Sequence, residues 1–264
     1  MNEQSEILII DDEQVVVDSV IKIGEISGYK IDYTMDAKTA LEKISAQNYQ
    51  LIICDIMLPE MDGFQFVNEM QSRHNTTPIV ITTGYSTMEN AVKSLQLGAV
   101  DFIPKPFTFD EMTSIMKRGV KYKKLIDPDA ESYNSLFYVR CPPRYFCLGY
   151  SSWLNTDYDG TVLIGATDLF LKTIENIKSI ELMERDEVVN QALSAAKIIC
   201  EDESVHQLYS AISGRIIDRN EKLLNDISLL EKDPYFNGWL YRIIPSEYDY
   251  EIKLLASCSS NGCR

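Results

Sequence analysis

The chain has 264 residues, 45% of them hydrophobic, and a formal net charge of −15. That length exceeds one average domain and sets two as the prior. The acidity is shared: residues 1–124 hold 12 basic and 18 acidic side chains, and residues 125–264 hold 13 and 22. A large nucleic-acid footprint needs clustered Lys and Arg, and with both halves net acidic neither looks like a DNA-binding output module, so no nucleic-acid partner is expected.

No apolar run approaches the roughly 20 residues that span a bilayer, so no membrane partner is expected. The start, MNEQSE, is polar and acidic, which predicts no signal peptide and a cytoplasmic location. Six cysteines (Cys54, Cys141, Cys147, Cys200, Cys258, Cys263) are scattered without a CxxC pair and read mostly as free thiols.

The first 124 residues alternate strand and helix. Glu6–Ile10 is an apolar strand ending in Asp11-Asp12. Gln14–Ser27 has helical spacing at Val16, Val20, Ile23 and Ile26, and Gly28 closes it. Lys30–Tyr33 reads as a strand, and Ala37–Ala46 as a helix capped by Asp36. Gln50–Cys54 is a buried strand running into Asp55, after which Pro59 and Asp62-Gly63 force a turn. A helix at Phe64–Gln71, a strand at Pro78–Thr82 and a helix at Met88–Leu97 follow. A strand at Val100–Ile103 and a helix at Phe109–Tyr122 complete the set. Five such units predict an α/β, doubly wound parallel sheet with helices on both faces. The basic run Lys117–Lys124 reads as pairing with the end of the last helix.

The strand ends carry the chemistry. Asp11, Asp12, Asp55, Thr83 and Lys105 fall where open α/β sheets bind ligands, at the carboxyl edge. Three crowded carboxylates repel unless a cation joins them, and oxygen ligands with open positions suit Mg²⁺. A lysine and a hydroxyl nearby would hold phosphoryl oxygens.

These motifs resemble the receiver domain of two-component response regulators. The resemblance rests on Asp11-Asp12, D-I-M-L-P-E-M-D-G from Asp55, T-G at Thr83-Gly84, G-A-V-D-F at Gly98–Phe102 and K-P-F at Lys105–Phe107. It implies that Asp55 is the phosphoacceptor, that Asp11, Asp12 and Asp55 hold Mg²⁺, and that Thr83 and Lys105 contact the phosphoryl oxygens. It also implies a cis Lys105–Pro106 bond and a switch formed by Thr83 and Phe102. The partner would be a sensor histidine kinase or phosphotransfer protein. Met57 and Tyr85, bulky neighbours of the site, would exclude water and give an aspartyl phosphate lasting minutes or longer.

A polar linker at 125–135 leads to a second domain at 136–256. Short β-like runs at Leu136–Val139, Tyr145–Tyr150, Thr161–Gly165, Ser179–Leu182, Ala195–Cys200, Gly214–Asp218 and Trp239–Ile243 are separated by turn signals. Small helices are expected at Leu169–Ile174, Glu221–Leu224 and Tyr248–Leu255. This predicts a β-rich sandwich or barrel.

The segment resembles the H protein of the glycine cleavage system, a lipoyl carrier. The match runs through Trp153, D-G-T at Asp159–Thr161, G-A-T-D at Gly165–Asp168 and L-Y-S-A-I-S-G at Leu208–Gly214. It is clearest in N-E-K-L at Asn220–Leu223 and in D-P-Y-F-N-G-W-L at Asp233–Leu240. The family's lipoyl lysine is missing: alignment puts His206 or Glu203 at its position. Lys197, the only lysine between Ser179 and Arg215, falls inside a predicted strand. No lipoate is therefore expected. His206 reads as a surface residue of a hairpin, with metal ligand or second phosphoacceptor as alternatives. Cys141 with Cys147, and Cys258 with Cys263, are loosely spaced for a metal site, and zinc is the minority reading. Residues 257–264 read as a mobile tail.

The leading expectation is a response regulator, not itself an enzyme, whose second domain acts by binding a protein partner. A phosphorylation-dependent homodimer through the fourth and fifth helices is one form of output. A regulated carrier of a lipoate- or glycine-cleavage-type system is the second reading, and a transcription regulator the third.

Overall fold

The computed structural model describes residues 6–84, 87–126 and 138–259, and the chain divides into two compact units.

The first unit is the α/β module that the alternation predicts. In chain order it runs β1 (Ile7–Ile10), α1 (Gln14–Ile26), β2 (Ile31–Thr34), α2 (Ala37–Ala46), β3 (Leu51–Asp55) and α3 (Gly63–Ser72). β4 (Ile79–Thr83), α4 (Met88–Gln96), β5 (Asp101–Pro104) and α5 (Phe109–Ile126) follow. The strands pair in parallel in the order β2-β1-β3-β4-β5. Every residue of β1, β3 and β4 is buried, as a parallel sheet covered on both faces requires. Asp36 caps α2, accepting from the Thr39 amide at 2.7 Å. α5 continues to Ile126, past the boundary placed at 124. The expected linker otherwise lies largely outside the described residues.

The turn after β3 depends on Gly63. A Cβ there would overlap the Asp55 carbonyl oxygen and lie 3.0 Å from Ile56 Cα. Only glycine lets α3 start this close to the end of β3. Asp62 and Gln65 form a capping box that fixes the start of that helix.

The second unit is β-rich. Its elements are β6 (Phe146–Leu148), β7 (Ser152–Thr156), β8 (Val162–Ala166), α6 (Asp168–Thr173), β9 (Ile177–Leu182), β10 (Val188–Val189) and β11 (Ser194–Cys200). β12 (Val205–Tyr209), β13 (Gly214–Arg219), α7 (Lys222–Asn225), α8 (Ser228–Lys232), β14 (Trp239–Pro245), α9 (Tyr248–Glu251) and β15 (Ala256–Ser257) complete it, with a 3₁₀ turn at Ile252–Leu254. One sheet has the order β10-β13-β14-β8-β7-β6-β15, and a smaller one β12-β11-β9. Trp153, fully buried, stands opposite Gly165 across the β7–β8 ladder. A Cβ at Gly165 would come 2.6 Å from the indole, so the glycine makes room for the ring.

Three expectations change here. Of the strand predicted at Leu136–Val139, residues 136–137 lie outside the described residues, and 138–139 are not in a strand. The segment read as a mobile tail begins inside the sheet: β15 pairs with β6 through Ala256–Cys147 and Ser257–Phe146. The Cys258 amide then donates to the Tyr145 carbonyl at 3.0 Å. Residues 260–264 are outside the described set. Finally, His206 is not on the surface. It lies within β12 opposite Ile198 and is 4% exposed, because the hairpin turns three residues earlier.

Candidate functional site: the carboxyl edge of the parallel sheet

β1 delivers Asp11 and β3 ends in Asp55. Both carboxylates are buried, at 0% and 3% exposure. Asp11 accepts from the Glu13 amide at 3.0 Å, which turns Oδ1 toward the backbone. Asp55 Oδ2 likewise accepts from the Met57 amide at 2.7 Å. Each carboxylate thus has one oxygen committed to a backbone amide, leaving the other to face Lys105. Lys105 enters between them from the loop after β5. Its Nζ lies 2.7 Å from Asp11 Oδ2 and 3.1 Å from Asp55 Oδ1. Beyond these ion-pair contacts, neither oxygen has an aligned hydrogen-bond donor. The Lys105 amide also donates to the Thr83 carbonyl at 2.8 Å, which ties the loop to β4. The Lys105–Pro106 peptide bond is cis.

The electrostatics follow from burial. Burial pushes the Asp11 carboxyl above its usual range, against the opposing pull of Lys105. For Lys105, burial works toward a lower pKa, but the contacts to Asp11 and Asp55 outweigh it and the ammonium is held more tightly than usual. Burial also raises the Cys54 thiol well above its ordinary value, with Asp55 and Asp11 adding to the effect. That thiol stays protonated beside the site.

A cleft of about 220 Å³ opens here, lined by Asp12, Glu13, Asp55, Met57, Gly84 and Lys105. Asp12 is exposed at its lip. The donor set fits a hard divalent cation: two buried carboxylate oxygens without aligned donors, a third carboxylate at the mouth, and room for the waters that Mg²⁺ retains. Met57 is exposed beside the cleft. Thr83 is fully buried at the end of β4, and Phe102 is buried on β5. Tyr85 lies outside the described residues. Glu13 escaped the sequence reading, although its Oε1 is 3.3 Å from Lys105 Nζ. The run Asp11-Asp12-Glu13 was the available signal.

Behind the site, Arg118 of α5 forms a buried ion pair with Asp101 of β5, both side chains being 6% exposed or less. Asp101 also accepts from the Phe102 amide at 2.9 Å.

In the second unit, the β11–β12 hairpin carries the positions aligned with a lipoyl lysine. Glu203 sits in its tight turn, exposed and with φ of 64°. Its amide donates to the Cys200 carbonyl at 3.1 Å. His206 lies three residues down the strand, buried. Lys197 is in β11, with its Nζ 4.0 Å from Glu181.

The fold and the acid–lysine edge define the first unit as a doubly wound α/β module with its buried carboxylates bridged by a lysine. Residues 7–117 match the family model of the response regulator receiver domain, and residues 144–261 that of the glycine cleavage H-protein. The chain therefore joins a receiver domain to an H-protein domain. It is similar to the regulatory protein AtoC of Escherichia coli K12, 33% identical over 45% of this chain and 26% of that protein. A CheY-like receiver domain structure from Methanospirillum hungatei is 30% identical with a TM-score of 0.43, over 46% of this chain and 98% of that one. A glycine cleavage system H protein structure from Mycobacterium marinum is 24% identical with a TM-score of 0.38, over 40% of this chain and 87% of that one. The chain spans between 26% and 59% of the length of the curated relatives it matches. Among the described residues, no helix is long and apolar enough to cross a membrane.

Proposed function

We propose that this chain is a cytoplasmic response regulator phosphorylated on Asp55 by a sensor histidine kinase or phosphotransfer protein. The observation that carries the reading is the Lys105 ammonium set between the buried carboxylates of Asp11 and Asp55. Asp55 Oδ1 faces the cleft while Oδ2 is held by the Met57 amide. Oδ1 attacks the phosphorus of a phosphohistidine protonated on its other ring nitrogen; the P–O bond forms, the P–N bond breaks, and the imidazole leaves as the neutral base, keeping that proton. Asp11, Asp12 and Asp55 would hold a Mg²⁺ ion, which would neutralise charge on the transferring group. Lys105 and the Thr83 hydroxyl take phosphoryl oxygens as charge builds on them. Thr83 and Phe102 then relay the event to the surface of α4, β5 and α5, a two-state element biased by one local charge. Met57, which lines the cleft, shields the acyl phosphate from water.

The H-protein domain acts as a docking surface for a protein partner and carries no lipoate. Its hairpin turn presents Glu203 where an attachment lysine is needed, and its one nearby lysine lies in a strand. The chain has no independent enzymatic activity and binds no DNA.

Acetyl phosphate with Mg²⁺, read by phosphate-affinity electrophoresis, tests the first half. Wild type gains a single phosphate labile to hydroxylamine and alkali, Asp55→Asn gains none, and labelling of the variant equal to wild type refutes the assignment. Gel filtration of the same samples reads phosphorylation-dependent homodimerisation. Intact-mass spectrometry of the natively expressed chain tests the second half, because an added lipoyl mass would restore the carrier reading.

A further inference from the structure

Outside the carboxyl edge, the densest chemistry-bearing cluster is sulfur. Cys141, Cys147 and Cys258 come together in the second unit, their Sγ atoms all within 4.8 Å of one another. They arrive from three segments. Cys147 is the middle residue of β6. Cys258 follows β15, whose pairing places it diagonally across from Cys147 on the same face of the sheet, at 3.0 Å between the sulfurs. Cys141 comes from the segment before β6.

That segment is clamped from both sides. The Val139 amide donates to Asp168 Oδ2 at 2.6 Å, and the Val139 carbonyl accepts from the Tyr235 hydroxyl at 2.8 Å. Tyr235 in turn accepts from the Asp168 amide at 3.1 Å. The wall behind the thiols is aromatic. Tyr145, Trp153 and Tyr235 form one buried cluster with Cys147, and Cys141 and Cys258 lie against it. The Tyr145 hydroxyl and Trp153 Nε1 donate to the carbonyls of Tyr235 and Pro234. The sulfurs therefore sit on a fixed frame.

We propose that Cys141, Cys147 and Cys258 bind a Zn²⁺ ion through three thiolates. Zinc–thiolate bonds of about 2.3 Å at tetrahedral angles put sulfurs roughly 3.8 Å apart, so small side-chain movements bring this cluster to a ligating geometry. Binding converts three thiols and Zn²⁺ into a tris-thiolate complex of charge −1 and releases three protons. A cavity of about 20 Å³, enough for one water, opens on Cys141 and Cys147 and gives the fourth position to a solvent oxygen. Arg140 lines that cavity and offsets the residual negative charge. A disulfide between Cys147 and Cys258 would use two sulfurs and strand the third, whereas a metal uses all three.

The test uses the full chain, reduced, with excess Mg²⁺ present to occupy the carboxyl edge. After zinc loading and gel filtration, the wild type retains one equivalent of zinc, and Cys141→Ser and Cys258→Ser retain none. The Co²⁺-loaded wild type shows thiolate-to-metal charge-transfer bands. Because either variant could fold poorly, alkylation mapping of the wild type provides the second reading: zinc protects Cys141 and Cys258 from iodoacetamide, and a chelator restores their labelling. Three results overturn the assignment. They are a Co²⁺ spectrum without sulfur charge transfer, labelling unchanged by zinc, or a Cys147–Cys258 disulfide beside an alkylated Cys141 in the chain as isolated from cells.

Discussion

Replacing Gly63 by alanine forces a collision beneath the proposed phosphoacceptor. The new Cβ would overlap the carbonyl oxygen of Asp55 and lie 3.0 Å and 3.1 Å from Ile56 Cα and the Asp55 carbonyl carbon. All three neighbours are backbone, so no side chain can swing aside. The strand end must retreat from α3 by about 1 Å, and overpacking of this kind costs roughly 1–3 kcal/mol. The same retreat moves the Asp55 carboxylate and the Met57 amide that orients it. Misplacing a reacting group by about 1 Å costs roughly 100-fold in rate. The expected result for Gly63→Ala is a melting temperature lowered by several degrees and slow labelling by acetyl phosphate, of the order of 100-fold below wild type. Thermal unfolding and a time course by phosphate-affinity electrophoresis measure the two effects on one sample. Labelling within twofold of wild type by a variant with lowered stability would show that the Gly63 turn does not position Asp55.

Asp101→Asn leaves the buried Arg118 guanidinium without its carboxylate and should destabilise the receiver domain by about 3–5 kcal/mol, whereas Asp101→Leu with Arg118→Met should recover most of that loss; urea unfolding compares the three. Asp36→Ala removes the cap of α2 and should cost about 1 kcal/mol at neutral pH. The hydrogen bonds from Thr39 hold the Asp36 carboxyl below its ordinary value of 3.8. Its contribution is therefore full above the unfolded value and fades as pH falls through the lower folded one, so wild type and variant should converge in acid; an undiminished gap there would refute the cap's role. Glu203→Lys should gain a lipoyl group from a lipoate ligase while His206→Lys does not, because only position 203 sits exposed in the hairpin turn; modification at 206 alone, read by intact mass, would reverse the alignment.

The receiver half was legible because its signals are local. Apolar runs of four or five residues, Asp36 three residues before Thr39, and Asp62-Gly63 after a buried strand each report on their own neighbourhood. Asp11, Asp55 and Lys105 could be grouped because parallel strands all end on one edge. Glu13 was missed because its contact with Lys105 spans the sheet rather than the sequence. The H-protein half was harder to read for the same reason. β7 was passed over because Trp153 and its neighbours read as a motif rather than a ladder. β12 holds His206 inside because the hairpin turn falls at Glu201–Glu203, closed by the Cys200 amide donating to the Ser204 carbonyl, a register that pattern alone does not fix. The tail read as loose because small polar residues carry no periodicity; the pairing of Ser257 with Phe146 and the bond from the Cys258 amide to the Tyr145 carbonyl show that its start belongs to the sheet.

That pairing also decides how the H-protein domain can be handled as a part. β6 opens the domain's ladder, β15 closes it, and the two are hydrogen-bonded neighbours. The first and last strands of the domain are therefore neighbours at one end of the sheet, so a host protein can accept it at a single site, as a loop accepts an insertion. Joining residues 259 and 138 by a short linker and cutting instead at the exposed Asp159-Gly160 turn should yield a circular permutant with the same sheet order. The domain has the topology of a cassette.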